Sequence, residues 1–416
     1  KLLKDTFQLY HNVGTGKIVA TAANDGTYDC IVSGDNVGAL KKVRFNTVTP
    51  DADVTSDATY VTSYTLNASH TSSHDFLSVT TDGKKYFAAC ERALHRGNVD
   101  GSGSDAVISQ WSASTLGKTV VKYTKGYLLL GQDNGLYQMD LATTAISGTT
   151  HNISNTPTNS TASKLHPNTS WVWNSIAGGQ VAIYASGYSN NHSEIWKIPY
   201  NTTSTNIDLS AMTVVAQMPY GEVVKSIEYY LGYLLIGTSK GCRVAEVDGE
   251  GNIIYGPLLW ESQYSVNGFA LNDVYAYAAT TLTNDVNHAG LYRIDLSNPF
   301  GDGTFPYAAD LEYESDDPSE ATGVYHVDDR LVIVSEEAGD GELNAESYSN
   351  YRSSGWIETG RIRFATVEPK FFKYINVNAD IATDDRIFIS TIDHSGNEYD
   401  ISSISDSSAG DIALQY

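Results

Sequence analysis

The chain repeats itself. Tyr127-Leu128-Leu129-Leu130 runs into Gly131-Gln132-Asp133-Asn134-Gly135 and then Leu136-Tyr137-Gln138-Met139-Asp140-Leu141. The phrase returns as Tyr233-Leu234-Leu235-Ile236, Gly237-Thr238-Ser239-Lys240-Gly241 and Val244-Ala245-Glu246-Val247-Asp248. Each copy reads as a buried strand, a tight turn and a second strand. Weaker copies pair Tyr28–Val32 with Ala39–Val43, Tyr86–Cys90 with Val107–Trp111 and Val181–Tyr184 with Ile195–Pro199. Val274–Tyr277 with Leu291–Leu296 and Leu331–Val334 with Glu342–Ala345 complete the series. About seven inner-strand copies recur at roughly 40–57 residues, the spacing of propeller blades.

That period is too long for a β-helix coil and lacks the helical pattern of an α-solenoid. Runs such as Leu128-Leu129-Leu130 do not alternate, as expected where sheets stack on both faces. With 28 Tyr, 35 Gly and only 3 Met, the palette is that of strands joined by polar turns. The prediction is an all-β chain: a β-propeller of about seven four-stranded blades over residues 1–354, with six or eight blades still open. A large β-sandwich is the competing fold.

The texture changes after Gly355. Trp356–Phe364 alternates apolar and polar residues, Phe371–Val377 follows, and Arg386–Ile392 leads to a turn at Asp393–Asn397. Residues 355–416 therefore read as a small antiparallel, sandwich-like β-module. So short a module is expected to continue beyond Tyr416 or to pack on a neighbour. The start at Lys1 rather than Met fits a processed or partial chain.

The segment Ser354-Gly355-Trp356-Ile357-Glu358-Thr359-Gly360-Arg361-Ile362-Arg363-Phe364-Ala365-Thr366-Val367-Glu368-Pro369-Lys370-Phe371-Phe372 resembles a phrase in minor tail proteins of phages that infect actinobacteria. There it opens a β-module after a propeller-like region. The resemblance is specific over about twenty residues, loose over the last sixty and only architectural upstream. It implies a non-catalytic tail-tip or fibre component of the virion, acting in host-surface contact or tail scaffolding. It also implies other tail proteins as partners and a homo-oligomer, with a trimer favoured. Trp356 and Phe364 would anchor the module core. Arg361, Arg363, Lys370 and Lys373 form a basic patch unlike the acidic propeller, expected to make the assembly contacts.

Charge narrows the partners. Forty-nine Asp and Glu against 26 Lys and Arg leave a net charge of −23, which repels phosphate backbones and anionic lipid. Nucleic-acid binding and membrane attachment are not expected, and no apolar run reaches the length of a membrane span. No signal peptide is visible. Cys30, Cys90 and Cys242 are few, widely spaced and free of any CxxC, so they read as small buried hydrophobes.

No GxSxG, HExxH, P-loop or Rossmann motif is present, and no cofactor is expected. A carboxylate pair needs no linear motif, so a secreted carbohydrate-active propeller enzyme, a glycoside hydrolase or lyase, is the rival function. Four connections between paired strands read as long loops: Glu91–Ala106, Ser186–Glu194, Thr281–Gly290 and Ser335–Gly341. They carry Arg92, His95, Arg96, Tyr188, Asn190, Asn191, His192, Asn284, Asp285, Asn287 and His288, the amides, rings and charges that sugar hydroxyls and ring faces require. Host-surface glycan is the expected ligand. Asn98–Asp105 spaces oxygens like a calcium loop but lacks the closing Glu; a flexible Gly/Ser loop is the favoured reading, and any metal stays unassigned.

Overall fold

A strand that is apolar on both faces needs a neighbour on each side, and the fold supplies one. In the computed structural model seven sheets form the blades of a β-propeller. The structure describes residues 7–35, 38–45, 52–66, 75–103, 105–112, 118–142, 146, 155–201, 207–261, 265–280, 291–311, 320–327, 329–337, 339–347, 374–377, 386–392, 397–405 and 410–413.

From axis to rim, blade 1 holds Val19–Asn24, Asp29–Gly34, Leu40–Arg44 and Val61–Ser63. Blade 2 holds Phe76–Thr81, Lys85–Cys90, Ala93–Asn98 and Ala106–Gln110. Blade 3 holds Thr119–Thr124, Tyr127–Gln132, Gly135–Met139 and Ser160–Leu165. Blade 4 holds Val172–Gly178, Ala182–Ser189, His192–Pro199 and Thr213–Gln217. Blade 5 holds Val224–Tyr230, Tyr233–Thr238, Gly241–Val247 and Ile253–Tyr255, with Trp260–Glu261 also on its third strand. Blade 6 holds Val266–Asn272, Tyr275–Thr280, Leu291–Asp295 and Tyr307–Leu311. Blade 7 takes Glu320–Val327, Arg330–Glu337 and Asp340–Glu346, and its outer strand is the N-terminal Phe7–Thr15.

The apolar run that opens the repeated phrase is the second strand of each blade rather than the innermost one. The inner strand precedes it across a two-residue turn, Lys125-Gly126 in blade 3 and Leu231-Gly232 in blade 5. Both turn residues have positive φ (50° and 84°; 49° and 87°), the geometry that matches strand twist and favours glycine at the second position. In blade 2 the sequence reading skipped a strand: Val107–Gln110 belongs to the outer strand, and the third is Ala93–Asn98.

The core is divided among the blade contacts. One apolar layer joins blades 7 and 1 around Ile18, Ile31, Val332 and Leu343, and each of the six other contacts has its own. Leu128, Leu129 and Leu130 are fully enclosed, Leu129 facing the blade 4 side and its neighbours the blade 2 side. Each such residue contributes roughly 1.5–3 kcal/mol. The three cysteines are free and buried, and burial pushes the Cys30 thiol up to about 12.

Polar cross-bonds fix the inner strands. Ser78 Oγ accepts from Val121 N at 3.1 Å, and Ser175 Oγ accepts from Ile227 N at 3.0 Å. Ser226 Oγ donates to Val266 O at 2.9 Å, and Thr322 Oγ1 donates to Ile18 O at 3.0 Å. Inside the ring of inner strands lies a cavity of about 240 Å³. The Lys122–Glu228 ion pair, 2.9 Å long, links blades 3 and 5 among its lining residues.

Closure uses the chain's own start. Phe7–Thr15 runs antiparallel to Asp340–Glu346, from Phe7 opposite Glu346 to Thr15 opposite Asp340. Tyr10 stacks on Phe45 of blade 1 at 4.8 Å, and the buried Arg330 guanidinium lies 5.1 Å and 4.8 Å from the two rings. Blade 7 is thereby tied to blade 1.

The chain divides into two units, Lys1–Ser353 and Ser354–Tyr416. In the second, Tyr374–Val377 pairs with Gly410–Ala413 and Arg386–Ile392 with Glu398–Ser405, all antiparallel. Trp356, Phe364, Arg361, Arg363, Lys370 and Lys373 lie outside the described residues.

Candidate functional site

The long-loop reading does not survive where the loops are described. Second and third strands are joined by Glu91-Arg92 in blade 2 and Asn190-Asn191 in blade 4, because strand pairing continues into residues whose polarity suggested a loop. The same holds for Ser335–Gly341: strands reach Glu337 and restart at Asp340. Thr281–Gly290, with Asn284, Asp285, Asn287 and His288, lies outside the described residues.

Arg92 sits half-buried in its turn, and its carbonyl accepts from Trp111 N at 3.0 Å. His95 is inside blade 2 with no exposed surface, so as placed it is structural. Its Nδ1 is 2.7 Å from Asp105 Oδ2, and Asp105 Oδ1 accepts from Tyr86 OH at 3.0 Å. Burial pulls the His95 pKa down, but the Asp105 hydrogen bond and the adjacent Cys90 hold it up at about 9. Asp105 is therefore occupied at the end of the calcium-like loop. Within that loop Asn98 Nδ2 donates to Ser102 O at 2.8 Å, and Ser102 N donates to Asp100 Oδ1 at 2.8 Å. Among the described residues no cluster of three His, Cys, Asp or Glu is placed to hold a metal.

Blade 4 does gather its predicted residues. Tyr188 is half-buried near the end of the second strand, opposite Ser193, and burial raises its pKa. Asn190, at φ 52°, and Asn191 form the exposed turn, and His192 opens the third strand. Strand period 2 puts His192 and Glu194 on one face, and His192 Nε2 bonds Glu194 Oε1 at 2.9 Å. Gln217 Nε2 donates to the same oxygen at 3.1 Å.

Two inter-blade linkers complete this rim. Gly221 N donates to Asn191 O and Met218 N to Ser193 O, each at 3.0 Å, which holds the linker of Tyr220 against the hairpin. Tyr220 is 81% exposed. On the other side His166 N donates to Asn134 O at 2.8 Å. The His166 ring stacks on Trp171 at 4.1 Å and meets Trp173 and Trp196 edge-on. Burial lowers the His166 pKa, so the ring is neutral at neutral pH. Its Nε2 lies 4.0 Å from Glu194 Oε2.

Sequence reasoning named Tyr188, Asn190, Asn191 and His192, though as a long loop rather than a tight hairpin, and missed His166, Glu194, Gln217 and Tyr220. The spacing of His192 and Glu194 was a legible signal; the linker residues gave none. By the same alternation Tyr188 shares the blade 5 face with Ser193, while His192, Glu194, Gln217 and His166 gather on the blade 3 face. Amides, a carboxylate and imidazoles at one sheet end can bind a polar, hydroxyl-bearing ligand.

No family model and no curated protein matches the chain. Among solved structures it is similar to YCF48 from Cyanidioschyzon merolae at 13% identity and TM-score 0.49, covering 82% of this chain and 98% of that one. It is similar to the propeller domain of Cps50 (Swd1) from Myceliophteria thermophila at 11% and 0.49, covering 82% and 99%. The extracellular domain of BT4673 from B. thetaiotaomicron matches at 13% and 0.50, over 99% of this chain and 47% of that one. Likeness at such identities concerns the fold alone.

Proposed function

We propose that the chain is a minor tail protein of a phage virion, at the tail tip or in a fibre, that recognises a host-surface glycan without cleaving it. The observation that carries the binding reading is the blade 4 rim. His192, Glu194 and Gln217 stand there on one face beside the Asn190-Asn191 turn, with Tyr188 on the opposite face and the exposed Tyr220 on the adjoining linker. The tail assignment rests on the resemblance of Ser354–Phe372, and so do the tail partners and the trimer. In this reading Arg361, Arg363, Lys370 and Lys373 make the assembly contacts.

The test is incubation of the full chain with actinobacterial cell-wall polysaccharide, following both co-sedimentation and released sugar. Retention without release, lost in Tyr220→Ala with Asn191→Ala, is the expected result. Release that disappears on substitution of one carboxylate would replace this reading with a carbohydrate-active enzyme.

A further inference from the structure

His166 and Glu194 stand side by side with one hydrogen-bonding capacity each unspent. Both side chains are 11% exposed, so each keeps a small solvent-facing surface. The His166 tautomer follows from its neighbour: Nδ1 accepts from Asn168 N at 3.1 Å, so on the neutral ring the proton sits on Nε2. Nε2–H is then a donor facing Glu194. On Glu194, Oε1 takes both His192 and Gln217. Among the described residues Oε2 accepts no hydrogen bond, and at 4.0 Å it is too far from His166 Nε2 for a bond between them.

A donor and an acceptor 4.0 Å apart make a selective pair. A group lying beside both must accept from Nε2–H and donate to Oε2 in the same position. An ammonium has nothing to accept with, and a carboxylate or phosphate would meet the Glu194 charge. A neutral hydroxyl satisfies both. We propose that the His166–Glu194 pair is a subsite for one hydroxyl of a neutral sugar, which makes the blade 4 rim selective for uncharged over anionic glycan; this rests on the glycan-binding reading above. Trp171 supports the pair by stacking on His166 at 4.1 Å, and the Trp173 and Trp196 edges limit its tilt. Gly187 leaves room for Trp171, since a Cβ there would lie 2.4 Å from the indole nitrogen.

The experiment uses the full chain and oligosaccharides released from actinobacterial cell wall, separated into neutral and anionic fractions. Binding of each fraction is measured for the wild type, Glu194→Gln and His166→Phe, with thermal unfolding as the check on folding. The neutral fraction should bind, and each variant should weaken it by roughly tenfold or more. In the wild type the imidazole ¹⁵N resonances of His166 should report the Nε2–H tautomer and move when the neutral fraction is added. That readout stands even if a variant unfolds. Equal binding by wild type and folded variants, preference for the anionic fraction, or unmoved His166 resonances would overturn the hydroxyl subsite while leaving host-surface binding in place. No binding of either fraction would overturn host-surface binding, and the subsite with it.

Discussion

Gly131 of blade 3 lies against Trp173 of blade 4 so closely that a Cβ on the glycine would sit 2.7 Å from the tryptophan's own Cβ. The same contact recurs around the ring. A Cβ at Gly34 would be 2.7 Å from the Phe76 Cβ, and one at Gly237 would be 2.4 Å from Val266 O. The glycine that follows the apolar run of the repeated phrase is thus the place where the next blade's inner strand comes nearest.

Alanine at these glycines should therefore force neighbouring blades apart. Gly237→Ala meets a backbone carbonyl, which yields less readily than a side chain, so it should cost more than Gly131→Ala. Each is expected to destabilise by about 1–3 kcal/mol. Urea unfolding of the two variants checks this, and wild-type midpoints for both would refute the steric account.

His11 makes the closing strand acid-sensitive. Its side chain is 1% exposed and both ring nitrogens lack a hydrogen-bond partner among the described residues. Burial first, then the Lys41 charge, lowers its pKa from 6.5 to about 4 against the opposing pull of Asp53. The unfolded chain takes up this proton as pH falls below 6.5, and the folded chain only near 4. Stability is present above the upper value and drains away toward the lower one, by on the order of 3 kcal/mol. Denaturation at about pH 7 and about pH 4 should show a smaller loss for His11→Leu than for the wild type. Equal losses would show that other groups carry the acid response.

His95 acts in the opposite direction. Asp105 keeps its folded pKa at about 9, so this contribution is complete below the ordinary value of 6.5 and fades as pH rises toward 9. Asp105→Asn leaves Tyr86 an acceptor but removes the charge that compensates a buried imidazolium. The expected cost near neutral pH is about 3–5 kcal/mol. The variant should also lose less stability than the wild type between neutral and alkaline pH. An unchanged alkaline profile would show that His95 is neutral in the folded chain.

Sequence by itself determined the propeller class, a count of about seven blades and most of the buried strand pairs, blade 2 being the exception. Those signals are local: Leu128-Leu129-Leu130 states that both faces are covered, and a turn such as Lys125-Gly126 needs only its own backbone. Tertiary structure decided which strands face the axis, since the inner strand Thr119–Thr124 is no more apolar than the outer strand Thr213–Gln217 of the next blade. It also decided the closure: Phe7–Thr15 meets Asp340–Glu346 from the far end of the propeller, with no shared local motif. Polar residues misled for the same reason. His95 looked like a loop ligand because Asp105 and Tyr86, which neutralise and enclose it, come from elsewhere in blade 2. At the rim, Asn190, Asn191 and His192 were readable as one polar cluster, but as a long loop and not as the two-residue turn they form. His166 and Glu194 became neighbours only when an inter-blade linker and a strand met at one sheet end, because hydrogen-bond complementarity depends on distance in space rather than in sequence.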